Sequence, residues 1–280
     1  MPNGYNSRIL RVDLSRRTTS VETPPDNFYR TYIGGRNFVA YYLLKELKGG
    51  EDALGPENKL IFAPGVLTGV PASGTGRNSV GAKSPLTGVY GDAEVGGYWG
   101  AELRHAGLDA IIVEGQASSP VYLWIRDGQA EIRDARRLWG QTTGECERLI
   151  KEELGDRAVR VAQIGIAGEN QVRFACIMND LSHAAGRTGM GAVMGSKNLR
   201  AIAVRGHQSV ALARPEAVTA FTRWFREDLK TNRGAAWLRD SGTAGMLTGL
   251  NAMGGLPTRN FREGVFEGAQ KISFDVMKAN

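Results

Sequence analysis

The sequence predicts an α+β fold, with a first domain that mixes strands and helices and a second domain that begins helical. Three observations support this prediction. Short apolar segments with strand-like spacing run through the first part of the chain, a helix–strand unit occurs twice, and the pattern becomes helical after Gly206. We therefore expect one domain at residues 1–208 and the start of a second, truncated domain at residues 209–280.

Hydrophobic spacing places the strands of the first domain. Asp127 and Gly128 form a turn signal between two of these strands and predict a β-hairpin. The predicted strands span residues 7–15, 60–63, 78–82, 110–113, 121–125, 130–133, 159–164, 172–177 and 201–204.

Spacing and capping signals predict the longer helices. Apolar residues within 36–47 recur every three or four positions, which is typical of one buried helix face. Thr142 and Glu145 form a capping box ahead of a second helix, and Gly155 ends it. Pro215 is suited to the first turn of a helix that opens the second domain.

A unit of helix, turn and strand occurs twice, 91 residues apart, with seven identical residues and no gap. Such a repeat indicates a duplicated structural unit. Two copies would present equivalent surfaces, which suits a ligand with two similar halves. The first copy holds Gly100, Ala101, Leu108, Ala110, Ile111, Val113 and Gly115, and the second holds Gly191, Ala192, Leu199, Ala201, Ile202, Val204 and Gly206.

The composition excludes several classes of protein. Glycine makes up 37 of 280 residues, above the usual share of roughly 7%, but without the three-residue period of collagen. Only two cysteines are present, too few for a disulfide framework. Without an apolar run of about 18 residues or a signal peptide, we expect a cytoplasmic protein with no membrane segment. The net charge of +6 favours anionic ligands or partners, although no nucleic-acid recognition motif is present.

Two glycine-rich stretches, residues 65–100 and 179–197, are the candidate binding loops. Glycine lets backbone N–H groups approach a ligand closely, and helices begin just after Gly97 and Gly186, where anions bind well. Basic side chains in the same loops favour a ligand that carries phosphate. These side chains are Arg77, Lys83, Arg187 and Lys197. The alternative is that the stretches are tight turns with solvated arginines, because neither matches a nucleotide-binding fingerprint.

Five longer motifs make the sequence similar to a known family. GRNSVGAKSPLTG at 76–88, GGYWGAELRHAGLDAIIVEG at 96–115, IGIAGEN at 164–170, AAGRTGMGAVMGSKNLRAIAV at 184–204 and GLPTRNFREGVF at 255–266 resemble the aldehyde ferredoxin oxidoreductases. The resemblance covers nearly the whole chain. It implies a first domain of two β-sheets beneath a bis-pterin cofactor that holds tungsten, or sometimes molybdenum. It also implies a magnesium ion between the pterin phosphates and a [4Fe-4S] cluster in the helical domains.

The resemblance assigns site residues one by one. Arg77 matches a position that contacts a pterin phosphate, and the backbone carbonyls of Glu94 and Ala184 match those that face magnesium. Some members have Asn in place of Glu94 and Arg in place of His183, and neutral histidine binds phosphate more weakly than arginine. The first predicted loop holds Glu94, Val95, Gly96 and Gly97, and the second holds His183, Ala184, Ala185, Gly186 and Arg187.

The family's cluster cysteines and its catalytic carboxylate and histidine are expected beyond residue 280, so no catalytic residue is assigned here. Cys146 and Cys176 fit no cluster spacing and are interpreted as small buried residues. Glu169 and Asp180 are interpreted as turn residues rather than as an acid–base pair. The oligomeric state is left open, and a homo-oligomer is compatible with the sequence.

The resemblance implies oxidation of an aldehyde to a carboxylic acid, with electrons passing through the cluster to ferredoxin or a partner subunit. Two alternatives stay open. The chain could belong to a paralogue with another substrate, such as an aromatic-ring reductase subunit. It could instead be an inactive fragment that only binds the cofactor.

Overall fold

The computed structural model describes residues 3–280 and confirms the α+β class. Two compact units are present, one ending at Pro215 and the other running from Glu216 to Asn280. This division lies a short way after the boundary that the sequence pattern predicts.

The first unit alternates strands and helices along the chain. Its strands are β1 (Ile9–Asp13), β2 (Thr18–Glu22), β3 (Leu60–Pro64), β4 (Asn78–Lys83), β5 (Tyr90–Val95), β6 (Ala110–Glu114), β7 (Val121–Arg126), β8 (Gln129–Asp134), β9 (Arg160–Gln163), β10 (Ile177–Asn179), β11 (His183–Ala185) and β12 (Leu199–Arg205). Its helices are α1 (Asp26–Tyr32), α2 (Arg36–Glu46), α3 (Trp99–His105), α4 (Thr143–Leu154), α5 (Ile166–Glu169) and α6 (Met190–Ser196).

Within residues 3–280, the strands form two six-stranded sheets with the same topology. The first sheet has the order β2-β1-β6-β3-β4-β5, and the second has the order β8-β7-β12-β9-β10-β11. Each strand of the first sheet therefore corresponds to the strand six places later in the chain. The directions also correspond, because β1 pairs with β6 and β7 with β12 in parallel, whereas the other neighbours are antiparallel. This topology confirms the duplication that the repeat predicts.

The two sheets share one apolar core. Alternate strand residues face it, so that Leu10 and Val12 of β1 lie in the shared core while Ile9 packs on the other face. Helices α3 and α6 contribute to the same core, and the Trp99 indole donates a 2.9 Å hydrogen bond to the Ile202 carbonyl. The outer face of the first sheet packs against α1 and α2, and that of the second packs against α4.

Buried charges occur at equivalent positions of the two copies, but with opposite sign. Asp109 of the first copy pairs with Arg104, and both side chains are about 1% exposed. Arg200, which lies 91 residues after Asp109, pairs with Glu169 at 2.8 Å and is fully buried. Because a buried charge is stable only when it is paired, each copy depends on its own partner residue.

The predicted elements agree with the structure where the sequence signals are strong. The hairpin at Asp127 joins β7 and β8. Helix α4 begins as predicted, since the Thr142 hydroxyl accepts a hydrogen bond from the Glu145 N–H, and Gly155 ends it in a left-handed conformation. The predicted strand at 172–177 is wrong, because residues 172–176 belong to no strand and β10 begins only at Ile177.

The second unit is helical, as the sequence pattern predicts. Its elements are α7 (Pro215–Thr231), α8 (Arg233–Ser241), a 3-10 turn (Gly242–Met246), α9 (Leu247–Ala252), a second 3-10 turn (Ala269–Ile272) and α10 (Phe274–Ala279). Stacked aromatic rings lie along α7, where the centroids of Phe221 and Phe225 are 6.0 Å apart. Among the helices in residues 3–280, none combines the length and apolar character that a bilayer-spanning segment needs.

Lys197 gives the fold a predicted pH dependence. Its side chain is fully buried and donates to the carbonyl of Gly115 at 3.1 Å, while burial lowers its pKa to about 7. Between pH 7 and the usual lysine value of about 10.4, the unfolded chain binds the proton and the folded chain releases it, so stability rises with pH. We expect Lys197→Met to remove up to about 1.4 kcal/mol per pH unit of this slope.

Urea unfolding at several pH values between 7 and 9 measures this slope. The matched control is Lys48→Met at an exposed position, which is expected to keep the slope of the parent chain. An unchanged slope in Lys197→Met would show that Lys197 is charged throughout this range.

Gly195 is predicted to be intolerant of alanine although it lies inside helix α6. A Cβ atom there would collide with the Gly168 carbonyl oxygen of α5. Gly144 lies inside α4 and has no atom within 4 Å of the same position, which makes it a matched control. We expect Gly195→Ala to destabilise the chain by about 3 kcal/mol and Gly144→Ala to stabilise it by about 0.5–1 kcal/mol. Equal effects in thermal unfolding would contradict the close packing of α5 on α6.

Candidate functional site

The candidate site lies where the edge strands of the two sheets meet. β5 ends the first sheet and β11 ends the second, and the two strands occupy equivalent positions in the duplicated topology. The Thr188 hydroxyl donates to the Asp92 carbonyl at 3.1 Å, which connects the segments that carry these strands. An edge strand leaves a row of backbone N–H and C=O groups unpaired, so both edges present groups that can bind a ligand.

Glycine allows the segments at this junction to approach closely. A Cβ atom on Gly96 would lie 3.0 Å from the His183 ring, and one on Gly97 would lie 2.6 Å from the Asp180 carboxylate. A Cβ atom on Gly76 would lie 2.8 Å from the Gly97 carbonyl oxygen. The structure thus brings the segment before Arg77 and both predicted loops together.

Asn179 and Asp180 hold the first loop against the second. The Asn179 amide donates to the Gly96 carbonyl at 3.2 Å and to the Asn78 side-chain oxygen at the same distance. The Asp180 carboxylate accepts from the N–H groups of Tyr98 at 2.6 Å and Trp99 at 3.1 Å. Asp180 thereby fixes the start of α3.

This arrangement corrects one expectation about anion binding. The N-terminus of α3, just after Gly97, was expected to receive a ligand anion, but the Asp180 carboxylate already occupies it. A second anion at the same N–H groups would face a fixed negative charge. In this loop, the groups that stay available to a ligand are therefore those before α3.

The second loop contains strained backbone. Asp180, Leu181 and Thr188 all have positive φ, at 50°, 61° and 60°. Positive φ is costly for a bulky or β-branched residue and persists only where the surroundings enforce it. The strain is concentrated next to β11, in the loop that the sequence predicts to bind a ligand.

Backbone donors are available in both loops. The N–H groups of residues 73–77 and 186–188 donate no hydrogen bond to any residue in the described range. Consecutive free N–H groups in a glycine-rich turn form a concave site for anions. The donor set thus consists of main-chain groups from two separate segments.

A cavity of about 370 Å³ opens beside the first loop and is lined in part by Arg36, Arg77 and Glu94. The Arg77 side chain is exposed, and its guanidinium has no ion pair or hydrogen bond with any described residue. Glu94 accepts a 2.5 Å hydrogen bond from the Ser79 hydroxyl and lies 3.3 Å from the Arg36 guanidinium. Arg77 is therefore the free cation at this cavity.

The other residues of the two predicted loops differ in the solvent exposure of their side chains. His183, Ala184, Gly186 and Arg187 are exposed, whereas Val95 and Ala185 are buried in the shared core. The side chains of the last two therefore anchor the loops, and only their backbone can face a ligand.

The two lysines of the glycine-rich stretches lie away from the two predicted loops. Lys83 donates to the carbonyl of Glu51, and Lys197 is buried beneath Gly115. Both lysines stabilise neighbouring chain segments.

The two cysteines occupy unrelated places. Cys146 lies on the buried face of α4, where burial raises the pKa of its thiol to about 11. The Cys176 sulfur is 3.7 Å from that of Met178. In the part of the chain that the structure describes, no group of three or more His, Cys, Asp or Glu side chains is placed to hold a metal ion.

Sequence reasoning missed the residues that join the loops. Asn78, Asn179 and Arg36 carried no recognisable signal, because their partners lie far away along the chain. Asp180 was interpreted as a turn residue, and it does lie in the turn between β10 and β11. Its second role as the cap of α3 depends on a contact across 82 residues.

Two family models match the chain. The model described as the aldehyde ferredoxin oxidoreductase N-terminal domain matches residues 9–206, and the model for domains 2 and 3 of the same enzymes matches residues 220–280. Together they span nearly all of the sequence, which agrees with the resemblance carried by the five motifs.

Individual relatives are similar over most of this chain. A tungsten-containing aldehyde ferredoxin oxidoreductase of Pyrococcus horikoshii is 50% identical over 277 residues, which are 99% of this chain and 46% of that protein. The aliphatic sulfonate oxidoreductase WOR-like subunit of Pyrococcus furiosus is 40% identical over 72% of this chain and 34% of its own length. The chain thus spans about half the length of the curated relatives it matches, or less.

A solved structure has the same fold. The active-site complex BamBC of benzoyl coenzyme A reductase, in complex with 1,5-dienoyl-CoA, aligns with a TM-score of 0.80 at 36% identity. The alignment covers 84% of this chain and 36% of that one.

The cap that Asp180 provides gives a testable prediction. We expect Asp180→Ala to lower the free energy of unfolding by about 1–2 kcal/mol, because two N–H groups lose their acceptor. Asp180→Asn keeps one acceptor oxygen and should lose less. Urea unfolding followed by tryptophan fluorescence measures both variants, and a parental midpoint in Asp180→Ala would contradict the cap.

Proposed function

The chain belongs to the aldehyde ferredoxin oxidoreductase family, and we propose that it is the tungstopterin-binding part of an enzyme that oxidises aldehydes to carboxylic acids. The junction of β5 and β11 carries this proposal. Two glycine-rich loops on equivalent edge strands meet there, with free backbone donors on both.

The residues at the junction fit a cofactor with two phosphate-bearing halves. Gly96 and Gly97 let the first loop pack directly against His183 and Asp180, where a Cβ atom would lie 3.0 Å or less from these side chains, and consecutive N–H groups suit oxyanions. Arg77 and Arg187 add an exposed guanidinium beside each loop, suited to bidentate phosphate contacts. The proposed cradle is Arg77, Glu94, Val95, Gly96, Gly97, His183, Ala184, Ala185, Gly186 and Arg187.

We assign the magnesium contacts to the backbone carbonyls of Glu94 and Ala184. Magnesium prefers oxygen ligands and keeps several waters, so two carbonyls and two phosphates would suit it. The two residues lie on corresponding edge strands, which supports equivalent roles for them.

When bound, the bis-pterin centre supplies two-electron redox chemistry through tungsten, or alternatively molybdenum. The overall reaction would convert an aldehyde and water into a carboxylic acid, two protons and two electrons. This chain would bind and orient the cofactor at the junction of β5 and β11. The electrons would leave through a [4Fe-4S] cluster to ferredoxin or a partner subunit, with cluster ligands outside these 280 residues, so we expect the 280 residues alone to be inactive.

A paralogue with another substrate is the second candidate. The similarity to the sulfonate oxidoreductase subunit and to benzoyl coenzyme A reductase supports it, since both share this fold region. The higher identity to the aldehyde oxidoreductases, 50% against 40% and 36%, favours the first candidate.

The proposal predicts that cofactor retention depends on Arg77. The chain, alone or within a longer open reading frame that contains it, would be produced in a host that makes the tungsten cofactor. Arg77→Ala should weaken cofactor binding about tenfold, because one charge-assisted phosphate contact is lost. Elemental analysis of tungsten and fluorescence of oxidised pterin measure the retained cofactor.

The matched control is Arg137→Ala, another exposed arginine that has no ion pair with a described residue. It should retain parental tungsten and pterin. Equal cofactor content in the parent and in Arg77→Ala would refute the assignment of Arg77, and an absence of pterin in the parent would refute the proposed function.

A further inference from the structure

Two buried asparagine side chains meet against the first predicted loop. Asn78 begins β4 and Asn179 ends β10, and each of these residues is 1% exposed. We propose that the two residues are positioning residues, whose amide pair fixes the peptide between Gly96 and Gly97 so that the Gly97 N–H is presented to a ligand. The inference rests on the proposed function, because the ligand that we assign to this N–H is the tungstopterin.

The asparagine pair joins the two copies of the duplicated fold. β4 and β10 are each the fifth strand of their sheet, counted from β2 and from β8, so one asparagine comes from each copy. Val80 of β4 and Ile177 of β10 lie in the shared core. Because alternate residues of a strand face the same side, Asn78 and Asn179 also point toward that core. Two polar side chains therefore meet at the border of an apolar interface, at the strand ends nearest the site.

The hydrogen bonds of the pair connect it to the first loop. The Asn179 Nδ2 group donates to the Asn78 Oδ1 atom and to the Gly96 carbonyl, in both cases at 3.2 Å. The Asn78 Nδ2 group and the Asn179 Oδ1 atom have no hydrogen-bond partner within the described structure. Unpaired buried polar atoms lower stability, so a contribution to stability alone does not account for two amides at this place.

Gly96 transmits the constraint to the surface. Its carbonyl points toward Asn179, and in a trans peptide the C=O and the following N–H point in opposite directions. The Gly97 N–H therefore points away from the asparagine pair. It donates no hydrogen bond to any described residue, and Gly97 lines a cavity of about 880 Å³. The acceptor of this peptide is thus fixed inside the protein, while its donor stays available to a ligand.

The surroundings of the pair leave its side chains little room to rotate. A Cβ atom on Gly100 would lie 2.9 Å from the Asn78 Oδ1 atom, and one on Gly97 would lie 3.5 Å from the Asn179 Cβ atom. The start of α3 and the first loop therefore enclose the amides. Because Arg77 directly precedes Asn78, the same pair also connects the backbone beside Arg77 to the first loop.

The rate of cofactor loss tests this role. The protein would be produced in a host that makes the tungsten cofactor, and pterin fluorescence would follow release after dilution into cofactor-free buffer. We expect Asn179→Leu to release pterin about tenfold faster than the parent, because the Gly96 carbonyl loses its internal donor. Asn78→Leu keeps the Gly96 hydrogen bond but removes the acceptor that orients Asn179, so it should release pterin about threefold faster.

Asn58→Leu is the matched control for the loss of a buried asparagine. Asn58 is fully buried, and its amide donates to the carbonyls of Ala53 and of Lys83, the last residue of β4. Urea unfolding gives the midpoint of each variant. A positioning role for Asn179 predicts that Asn58→Leu lowers the midpoint but keeps the parental release rate. A merely structural role predicts that release follows stability, so that Asn58→Leu and Asn179→Leu behave alike.

The outcomes separate the asparagine pair from the proposed function. Parental release from Asn179→Leu, or equal acceleration in Asn58→Leu at equal stability, would overturn the positioning role while the parent still holds its cofactor. If Asn179→Leu fails to fold, Asn78→Leu decides, and a parental release rate in that variant overturns the role. A parent that contains neither pterin nor tungsten would overturn the proposed function and this inference together.

Discussion

The contact of Asn179 and Asp180 with the first glycine-rich loop is the interaction on which the site depends. It joins the edge strands of two sheets that share one core, and it fixes the start of α3. The Trp99 side chain then anchors α3 to the opposite sheet through Ile202. Any movement of one loop would therefore disturb both the other loop and the core beneath them.

The site relies mainly on backbone groups. Gly96 and Gly97 allow the chain to approach His183 and Asp180 more closely than a side chain would permit. The free main-chain donors lie in loops that adjoin the strands β4 and β11, so a ligand there would need no ordering of long side chains. The exposed side chains of Arg77 and Arg187 add positive charge beside these backbone groups.

Much of the fold is readable from the sequence because its signals are local. The Asp127 turn and the Thr142 cap depend on residues a few positions away, and both occur as predicted. The predicted strand at 172–177 is wrong because a short apolar pattern does not distinguish a strand from an irregular segment, and here the turn residues Arg173 and Phe174 are exposed. Lys197 lies close to the second loop along the chain, yet its side chain is buried and donates to the Gly115 carbonyl instead. Neither its burial nor the role of Asp180 has a local signature.

The opposite charges of Asp109 and Arg200 indicate how the two copies evolved. Identical subunits of a symmetric dimer carry the same residue at both equivalent places. These charges therefore diverged after the duplication that produced the two copies. Each half could then adapt separately, so that one edge now carries Glu94 and the other His183. The two halves of the fold keep the same topology, but their side chains differ. A ligand with two similar halves would therefore contact different residues on its two sides.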